Sequence, residues 1–210
     1  MCIRDSYSTE AFVADLVGFL DAVGLDKFTL FGHSMGGRNS MAFASAHPNR
    51  LERLCIVDIG PRIEAAGGNR ITEELRAIPP HFDNFEDALA HVQTGNRFAS
   101  ETVMRRRLTG QTRLLADGKV GWKFDPAIRE QRINGTAAPA ADLWPALENI
   151  TCPTLVVRGT ETDLLTQETA DQMVSTLAQG SMVNIERAGH MVFEDNPDDF
   201  IAAVKSWLAR

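Results

Sequence analysis

The chain has 210 residues, of which 44% are hydrophobic and 23% charged, an ordinary balance for a protein with one sizeable core or a core with a modest insertion. Its formal net charge of −7 argues against a surface that binds nucleic acid or anionic lipid, because both need clustered positive charge. No apolar run approaches the roughly 20 residues of a membrane-spanning helix.

The first residues, MCIRDS, contain no apolar segment of the kind found in secretory signals, so a cytoplasmic location is expected. The cysteines, Cys2, Cys55 and Cys152, are odd in number, and the last two lie in or beside apolar strand-like runs. This placement predicts buried, reduced thiols. The histidines show no spacing typical of zinc ligands, so no metal site is predicted.

An amphipathic helix is predicted between Ser8 and Gly24, because apolar side chains recur there every three or four residues. A short strand, KFTLFG, follows at residues 27–32, and GRNSMAFASAHP, residues 37–48, is predicted to form a helix that ends before its proline. The segment LERLCIVDIG, residues 51–60, contains a second strand that is nearly all apolar, as expected for a parallel strand covered on both faces.

The next segment, residues 61 to about 140, lacks apolar strand-like runs. Helical patterns occur around ITEELRAI, FEDALAHV and ETVMRRRLTGQTRLL, and GKVGWKFDP is predicted to form a small hairpin or an extended turn. We therefore predict a mostly helical insertion at residues 61–140, between two parts of one core at residues 1–60 and 141–210.

Strand and helix alternate again after the insertion. TLVVRG predicts a third strand, TQETADQMVSTLAQG a helix, and SMVNIERAG a fourth strand. A last helix is predicted to begin with Asn196 as N-cap and Pro197 as its first residue. The alternation predicts an α/β fold, a parallel sheet with helices on both faces and right-handed crossovers.

Ser34, in the segment GHSMGG, lies where the first strand ends and a helix begins. A sharp turn there pushes the serine side chain outward and crowds the residues two positions before and after it. Gly32 and Gly36 are expected to relieve that crowding, because they lack a Cβ atom. The apex residue is expected to have a strained backbone, and the free N–H groups of the following helix can stabilise an anion.

A serine hydroxyl is a poor nucleophile until a base removes its proton, so the chain must also supply a histidine and a carboxylate. His190 directly follows the fourth strand and is the candidate base. Asp163, a few residues after the third strand, is the preferred carboxylate, which gives the chain order serine, acid, histidine. Glu161 and Asp58, the latter at the end of the second strand, are the alternatives.

The segments GHSMGG, PTLVVRGTETDLL and AGHMVFEDNP resemble the signature regions of the α/β-hydrolase fold superfamily, and the resemblance covers nearly the whole chain. It implies that Ser34 is the nucleophile, that His190 is the general base and then acid, and that Asp163 orients His190. Some members of the superfamily take the acid from the end of the second of these strands, which is the position of Asp58. Asp58 is nevertheless expected to cap or brace the turn that follows its strand.

The resemblance also implies that the Met35 backbone N–H is one oxyanion-hole donor, that residues 61–140 are a helical cap, and that no cofactor is needed. The superfamily normally has several strands upstream, and a loop after one of them supplies a second oxyanion donor. MCIRDS corresponds to none of these, so we expect an N-terminally truncated form of the fold. Its first strand would have an unpaired edge, and the chain would react at Ser34 yet turn over slowly.

Other chemistry-bearing residues are expected to have structural roles. His33 adjoins the nucleophile, but neighbouring side chains of a strand-like segment point to opposite faces, which predicts a buried support rather than the base. The arginines at 105–107 fan around a helix by about 100° per residue, which predicts a solvated face rather than an anion clamp. Trp122 and Trp144 are predicted to pack, with an aromatic pocket lining as the alternative.

The pattern as a whole predicts a cofactor-independent serine hydrolase that acts on a small-molecule carboxylic ester, lactone or related acyl substrate through an acyl-enzyme. Carbon–carbon bond hydrolysis and cofactor-free haloperoxidase chemistry use the same triad in this superfamily and stay open. A non-catalytic role also stays open, because hydrolase folds can serve as binding modules, and so does an inactive fragment of the fold with no independent function.

Overall fold

The computed structural model describes residues 7–136 and 140–210. Within them the helices are α1 (Thr9–Ala22), α2 (Met35–Ala46), α3 (Ala65–Ala77), α4 (Phe85–Thr94), α5 (Glu101–Gln111), α6 (Pro126–Ile133), α7 (Trp144–Leu147), α8 (Gln167–Thr176), α9 (Val192–Asp195) and α10 (Pro197–Leu208). The strands are β1 (Phe28–His33), β2 (Leu51–Val57), β3 (His81–Phe82), β4 (Thr112–Leu114), β5 (Val120–Trp122), β6 (Thr154–Gly159) and β7 (Gly180–Ile185). The described residues divide into a core unit, 7–68 with 140–210, and a second unit, 69–136.

Parallel strands form the sheet of the core unit, in the order β1-β2-β6-β7. The parallel sheet predicted from the alternation of strands and helices is therefore confirmed. Helices carry the chain between neighbouring strands, with α2 between β1 and β2 and α8 between β6 and β7. Among the described residues β1 pairs only with β2, so it is an edge strand of this sheet.

Burial on both faces of the sheet explains the nearly all-apolar sequence of β2. Leu54 and Ile56 pack into a cluster with residues of α1, α2, α7 and α8. Cys55 and Val57 pack on the other face, in a cluster that includes Trp207 of α10. Because successive side chains of a strand point to opposite faces, this division confirms that helices cover the sheet on both sides.

The ends of the first and last helices agree with the capping signals in the sequence. The Ser8 hydroxyl accepts a hydrogen bond from the Ala11 N–H at the start of α1, and Gly24 follows the helix with a left-handed φ of +67°. At the start of α10 the Asn196 side chain accepts from the Asp199 N–H.

The second unit is mostly helical and also contains a small antiparallel sheet of order β3-β5-β4. Its core is built from Phe82, Leu89, Met104, Leu108 and Val120, among others. The hairpin of β4 and β5 overlaps the segment where the sequence predicted a hairpin or extended turn. Helix α3 begins at Ala65, earlier than the pattern around ITEELRAI indicated, because two glycines interrupt its apolar periodicity.

The secondary candidates of the sequence analysis have structural roles. On the surface of the second unit Arg105 forms ion pairs with Glu86 and Glu101, as expected for a solvated helix face. Trp122 packs beside the core of the second unit, and Trp144 packs against the core cluster of the sheet.

Cys55 and Cys152 are buried free thiols, as predicted, and burial raises the pKa of Cys55 to about 12. Cys2 lies outside the described residues. Within residues 7–136 and 140–210 no helix is both long and apolar enough to cross a membrane.

Candidate active site

The elbow after β1 places Ser34 at the carboxyl edge of the sheet. β1 ends at His33 and α2 begins at Met35, so Ser34 alone makes the turn from strand to helix. Its backbone has φ +54° and ψ −122°, a conformation that is rare for residues other than glycine, and the predicted strain is therefore present. The Ser34 N–H donates to the Val57 carbonyl of β2 at 3.3 Å, which ties the turn to the neighbouring strand.

Backbone donors lie next to Ser34 in the first turn of α2. The Arg38 N–H donates to the Ser34 carbonyl, and the N–H groups of residues 35–37 precede the first position that has a partner within the helix. A helix N-terminus also favours nearby negative charge. The role of the Met35 N–H as an oxyanion donor fits this position and stays a prediction.

The glycines of the elbow differ in whether a Cβ atom would fit at their position. A Cβ atom at Gly32 would lie 2.3 Å from the Ser40 hydroxyl oxygen and 2.5 Å from the Gly36 carbonyl oxygen, so the expected crowding at residue 32 is confirmed. At Gly36 the expectation is wrong, because a Cβ there would have no neighbour within 4 Å. The second crowded position is Gly37, where a Cβ would lie 2.5 Å from Ile59 Cγ2.

His190 forms a hydrogen bond with a buried carboxylate at the end of β2. Its Nδ1 lies 2.9 Å from Asp58 Oδ2, and the Asp58 side chain is fully buried while that of His190 is 16% exposed. The other donors to Asp58 are the Gly159 N–H, at 3.0 Å from Oδ1, and the Thr162 hydroxyl, at 2.6 Å from Oδ2. Together these contacts hold the carboxylate in one orientation against the imidazole.

This hydrogen bond determines which nitrogen of His190 can act as a base. An ionised carboxylate only accepts hydrogen bonds, so Nδ1 of His190 carries the proton that faces Asp58. Nε2 of the neutral ring then has a free lone pair that can take up a proton. The arrangement has the elements of a base and the group that orients it.

The structure revises the predicted carboxylate partner of His190. The sequence favoured Asp163, with Asp58 as an alternative, and the Nδ1 hydrogen bond is made to Asp58. From the loop that contains Asp163, Thr162 is the residue whose side chain reaches Asp58, and its hydroxyl also accepts from the Leu164 N–H at 3.1 Å.

Gly159, which the sequence analysis did not single out, explains this pairing. A Cβ atom there would lie 2.4 Å from the carbonyl oxygens of both Ala188 and Gly189. The loop after β7 therefore passes directly over the end of β6, and the Glu161 N–H donates to the Ala188 carbonyl at 2.9 Å. This path carries His190 across β6 toward the end of β2. A glycine at a strand end, where two backbones approach closely, was the only sequence signal for it.

His33 lies against His190, on the strand that carries the nucleophile elbow. Its Nε2 is 2.8 Å from the His190 carbonyl oxygen, and the two imidazole centroids are 4.4 Å apart with 36° between the ring planes. Burial, and secondarily the positive charge that His190 can carry, lower the pKa of His33 to about 4. His33 is therefore neutral at neutral pH, in agreement with its predicted role as a support.

Comparison with known proteins places this geometry in a family. A model of the alpha/beta hydrolase family matches residues 3–204. A 3-hydroxybutyrate-oligomer hydrolase of Cupriavidus necator is 32% identical over 196 residues, which cover 89% of this chain and 67% of that protein. A 2-hydroxy-6-oxo-2,4-heptadienoate hydrolase of Pseudomonas putida is 26% identical over 204 residues, covering 97% of this chain and 71% of that protein.

The fold recurs in solved structures. The crystal structure of E-2-(acetamidomethylene)succinate hydrolase superposes with a TM-score of 0.87 at 22% identity, covering 98% of this chain and 75% of that one. The chain thus spans from about two thirds to three quarters of the length of these proteins. By its matching family model, its relatives and its parallel sheet, the chain belongs to the alpha/beta hydrolase family.

Proposed function

We propose that this protein is a serine hydrolase that cleaves carboxylic esters, with Ser34 as nucleophile, His190 as general base and acid, and Asp58 as the carboxylate that orients His190. The observation that carries the proposal is the hydrogen bond between His190 Nδ1 and the buried Asp58, on a loop that also contacts the residue before Ser34. The strained serine at the strand–helix turn supports the assignment of the nucleophile.

In the proposed reaction Ser34 Oγ attacks the carbonyl carbon of the ester while His190 Nε2 takes the hydroxyl proton. Negative charge develops on the carbonyl oxygen of the tetrahedral intermediate, where the Met35 N–H is the proposed donor. One such donor typically contributes about 10²–10³ in turnover. The intermediate then expels the alcohol, which takes the proton from His190. In the second half of the reaction water attacks the acyl-enzyme while His190 takes a proton from it. The tetrahedral intermediate then releases the carboxylic acid, and Ser34 Oγ takes the proton back from His190.

Asp58 has two tasks in this scheme. It keeps the Nδ1 proton on the side of His190 that faces away from the reaction, and its negative charge stabilises the imidazolium that forms when Ser34 loses its proton. Complete burial of Asp58 removes competing water from that interaction. The scheme uses no cofactor.

The relatives support ester chemistry without fixing the substrate. Oligomers of 3-hydroxybutyrate are joined by ester bonds, and the relative that is 32% identical hydrolyses such oligomers by its name. A short ester of a hydroxy acid is therefore the first substrate class to test. Lactones belong to the same class of reaction.

The second candidate is hydrolysis of a carbon–carbon bond. The Pseudomonas putida relative is named for 2-hydroxy-6-oxo-2,4-heptadienoate, which contains no ester or amide bond, so its hydrolysis must break a bond between carbons. The same serine and histidine can serve either reaction. The conjugated 2-hydroxy-6-oxo-2,4-heptadienoate absorbs ultraviolet light. Loss of that absorbance on incubation with this protein would favour hydrolysis of a carbon–carbon bond over ester hydrolysis.

The deciding experiment combines an active-site probe with a substrate panel. The chain is treated with a fluorophosphonate probe. Initial rates are then measured on p-nitrophenyl butyrate, on a linear 3-hydroxybutyrate trimer and on 2-hydroxy-6-oxo-2,4-heptadienoate, the dienoate ketone of the panel. We expect labelling and ester hydrolysis that Ser34→Ala abolishes. Ser45→Ala, in the same helix, is the matched control and should leave both unchanged.

A folded wild-type chain that the probe does not label, or labelling that survives Ser34→Ala, would overturn the serine mechanism. Turnover of the dienoate ketone with no turnover of either ester would instead favour the carbon–carbon hydrolase.

A further inference from the structure

The side chain of His33 contacts His190 at atoms other than the Nδ1 that faces Asp58. His33 Nε2 lies 2.8 Å from the His190 carbonyl oxygen, and its ring lies against the His190 ring at a centroid distance of 4.4 Å. The His33 and Phe193 rings meet edge to face at 5.1 Å and 90°, so the His33 ring contacts a second ring besides that of His190. These contacts join the strand of the elbow to the loop of the base.

The protonation of His33 follows from its partner. A backbone carbonyl only accepts hydrogen bonds, so His33 Nε2 carries a hydrogen and donates it to the His190 carbonyl. Burial, and secondarily the charge that His190 can carry, lower the pKa of His33 to about 4, and the hydrogen bond to the His190 carbonyl and the Asp58 charge oppose this shift. A neutral His33 places no positive charge beside His190 at the moment when His190 must accept a proton.

We propose that His33 is a positioning residue for catalysis, which sets the place and tilt of the His190 imidazole by donating to the His190 backbone and packing against its ring. The inference rests on the proposed function, in which His190 takes the proton of Ser34. Asp58 fixes the Nδ1 side of the ring, but one hydrogen bond leaves the ring free to swing about it. The contact with His33 supplies the second fixed point.

His33 and Ser34 are consecutive residues, which couples the support of His190 to the position of Ser34. His33 is the residue before Ser34, so a shift of the elbow moves the nucleophile and the support of the base together. The strained backbone of Ser34 turns the chain directly after His33. The His33 side chain can therefore contact His190 while the Ser34 side chain serves a different partner. The distance between nucleophile and base is thereby tied to one short segment of backbone.

The test uses two substitutions of similar length that differ in their hydrogen-bond donor. His33→Gln retains an N–H that can reach the His190 carbonyl, whereas His33→Met has none. A displaced general base typically lowers the chemical step by about 10–100-fold, so we expect that loss in kcat for His33→Met with KM changed by less than about twofold. His33→Gln should keep kcat within about fivefold of the wild type.

The rate of fluorophosphonate labelling at Ser34 is measured on the same variants and should follow kcat, because it depends on the same proton transfer. His47→Met is the matched control, since His47 also packs against an aromatic ring but at the far end of α2, against Phe43. It should change neither rate. Circular dichroism and urea titration give the folded fraction used to normalise each rate.

The outcomes separate the inference from the function on which it rests. Wild-type kcat and wild-type labelling in His33→Met, after normalisation, would overturn the role of His33 while Ser34 still reacts. An equal loss in His33→Gln and His33→Met would overturn the hydrogen bond as the source of that role. A loss confined to KM, or a loss fully explained by unfolded protein, would do the same. Failure of Ser34→Ala to abolish labelling would remove the proposed function itself, whatever His33 does.

Discussion

The substitution Asp58→Asn tests which carboxylate serves His190. Asp58 accepts hydrogen bonds from His190, Thr162 and the Gly159 N–H, and an asparagine oxygen can still satisfy the last of these. The amide nitrogen must then face His190 Nδ1, and because it is a donor, Nδ1 has to give up its hydrogen. The proton moves to Nε2, which can no longer accept a proton from Ser34.

The wrong tautomer with intact geometry is the defect known to lower kcat by about 10⁴ in serine proteases, which corresponds to about 5 kcal/mol of transition-state stabilisation. We expect a loss of that size for Asp58→Asn in the hydrolysis of p-nitrophenyl butyrate. Asp163→Asn, the matched change at the carboxylate that the sequence favoured, should alter kcat by less than about threefold.

The measurement is kcat from initial rates at pH 7.5, with labelling by the fluorophosphonate as a readout that does not depend on the substrate chosen. A urea titration confirms that each variant is folded at the assay temperature. If Asp163→Asn loses activity by orders of magnitude and folded Asp58→Asn retains it, the pairing seen in the structure is not the catalytic one.

Three further results are expected. Gly159→Ala should lower kcat/KM more than about tenfold in a protein that still folds, because the added Cβ would lie 2.4 Å from two carbonyl oxygens of the loop that carries His190. Unchanged kinetics would contradict the path of that loop over the end of β6. Gly37→Ala should reduce the free energy of unfolding by about 1–3 kcal/mol. Gly36→Ala, whose Cβ meets no atom within 4 Å, should leave that free energy unchanged or raise it by up to about 1 kcal/mol. Urea titrations that reverse this order would refute the packing argument. The pKa of His33 is about 4 in the folded protein and 6.5 in the unfolded chain, so the unfolded state binds more protons as pH falls between these values. The free energy of unfolding should therefore drop over this window, with a contribution from His33 that reaches about 3 kcal/mol below pH 4, and His33→Gln should show a correspondingly shallower pH dependence in urea titrations.

Much of the fold could be predicted because local signals and burial agree. The apolar run of β2 predicted a strand covered on both faces, and its alternate residues do pack into separate clusters. Ser8 and Asn196 mark helix starts through side-chain hydrogen bonds that depend only on nearby residues. By contrast the start of α3 carries no apolar periodicity, because Gly67 and Gly68 lie there. At Gly67 close packing explains the glycine, since a Cβ would lie 2.3 Å from Leu164.

The candidate site was predictable at the elbow and not at the acid. The small residues around Ser34, between a predicted strand and a predicted helix, indicated a sharp turn, and the structure shows that Ser34 alone makes it. The choice between Asp58 and Asp163 depends on the path of a distant loop over the end of β6. That path depends on Gly159, where the absence of a side chain allows close approach of residues far apart in the chain. Sequence spacing alone carries no information on which strand end the loop crosses.

The strand register explains why Ser34 and Asp58 lie at one place on the sheet edge. His33, the last residue of β1, pairs with Val57, the last residue of β2, so Ser34 and Asp58 follow at the same level. Each then donates its N–H to the next strand, Ser34 to Val57 and Asp58 to Val157.

Within the described residues, the positive-φ residues other than glycine are Ser34, Asp58 and Arg187, the last of which lies in the loop before His190. Each such conformation costs about 1–3 kcal/mol and persists only where surrounding structure over-determines it. They lie at or beside the residues to which we assign the nucleophile, the acid and the base, since Arg187 is three residues before His190. Glycine adopts such conformations without a Cβ penalty, so serine and aspartate are more costly choices at these positions. Their presence at strained positions that follow paired residues of β1 and β2 supports a need for their side chains in the chemistry we propose.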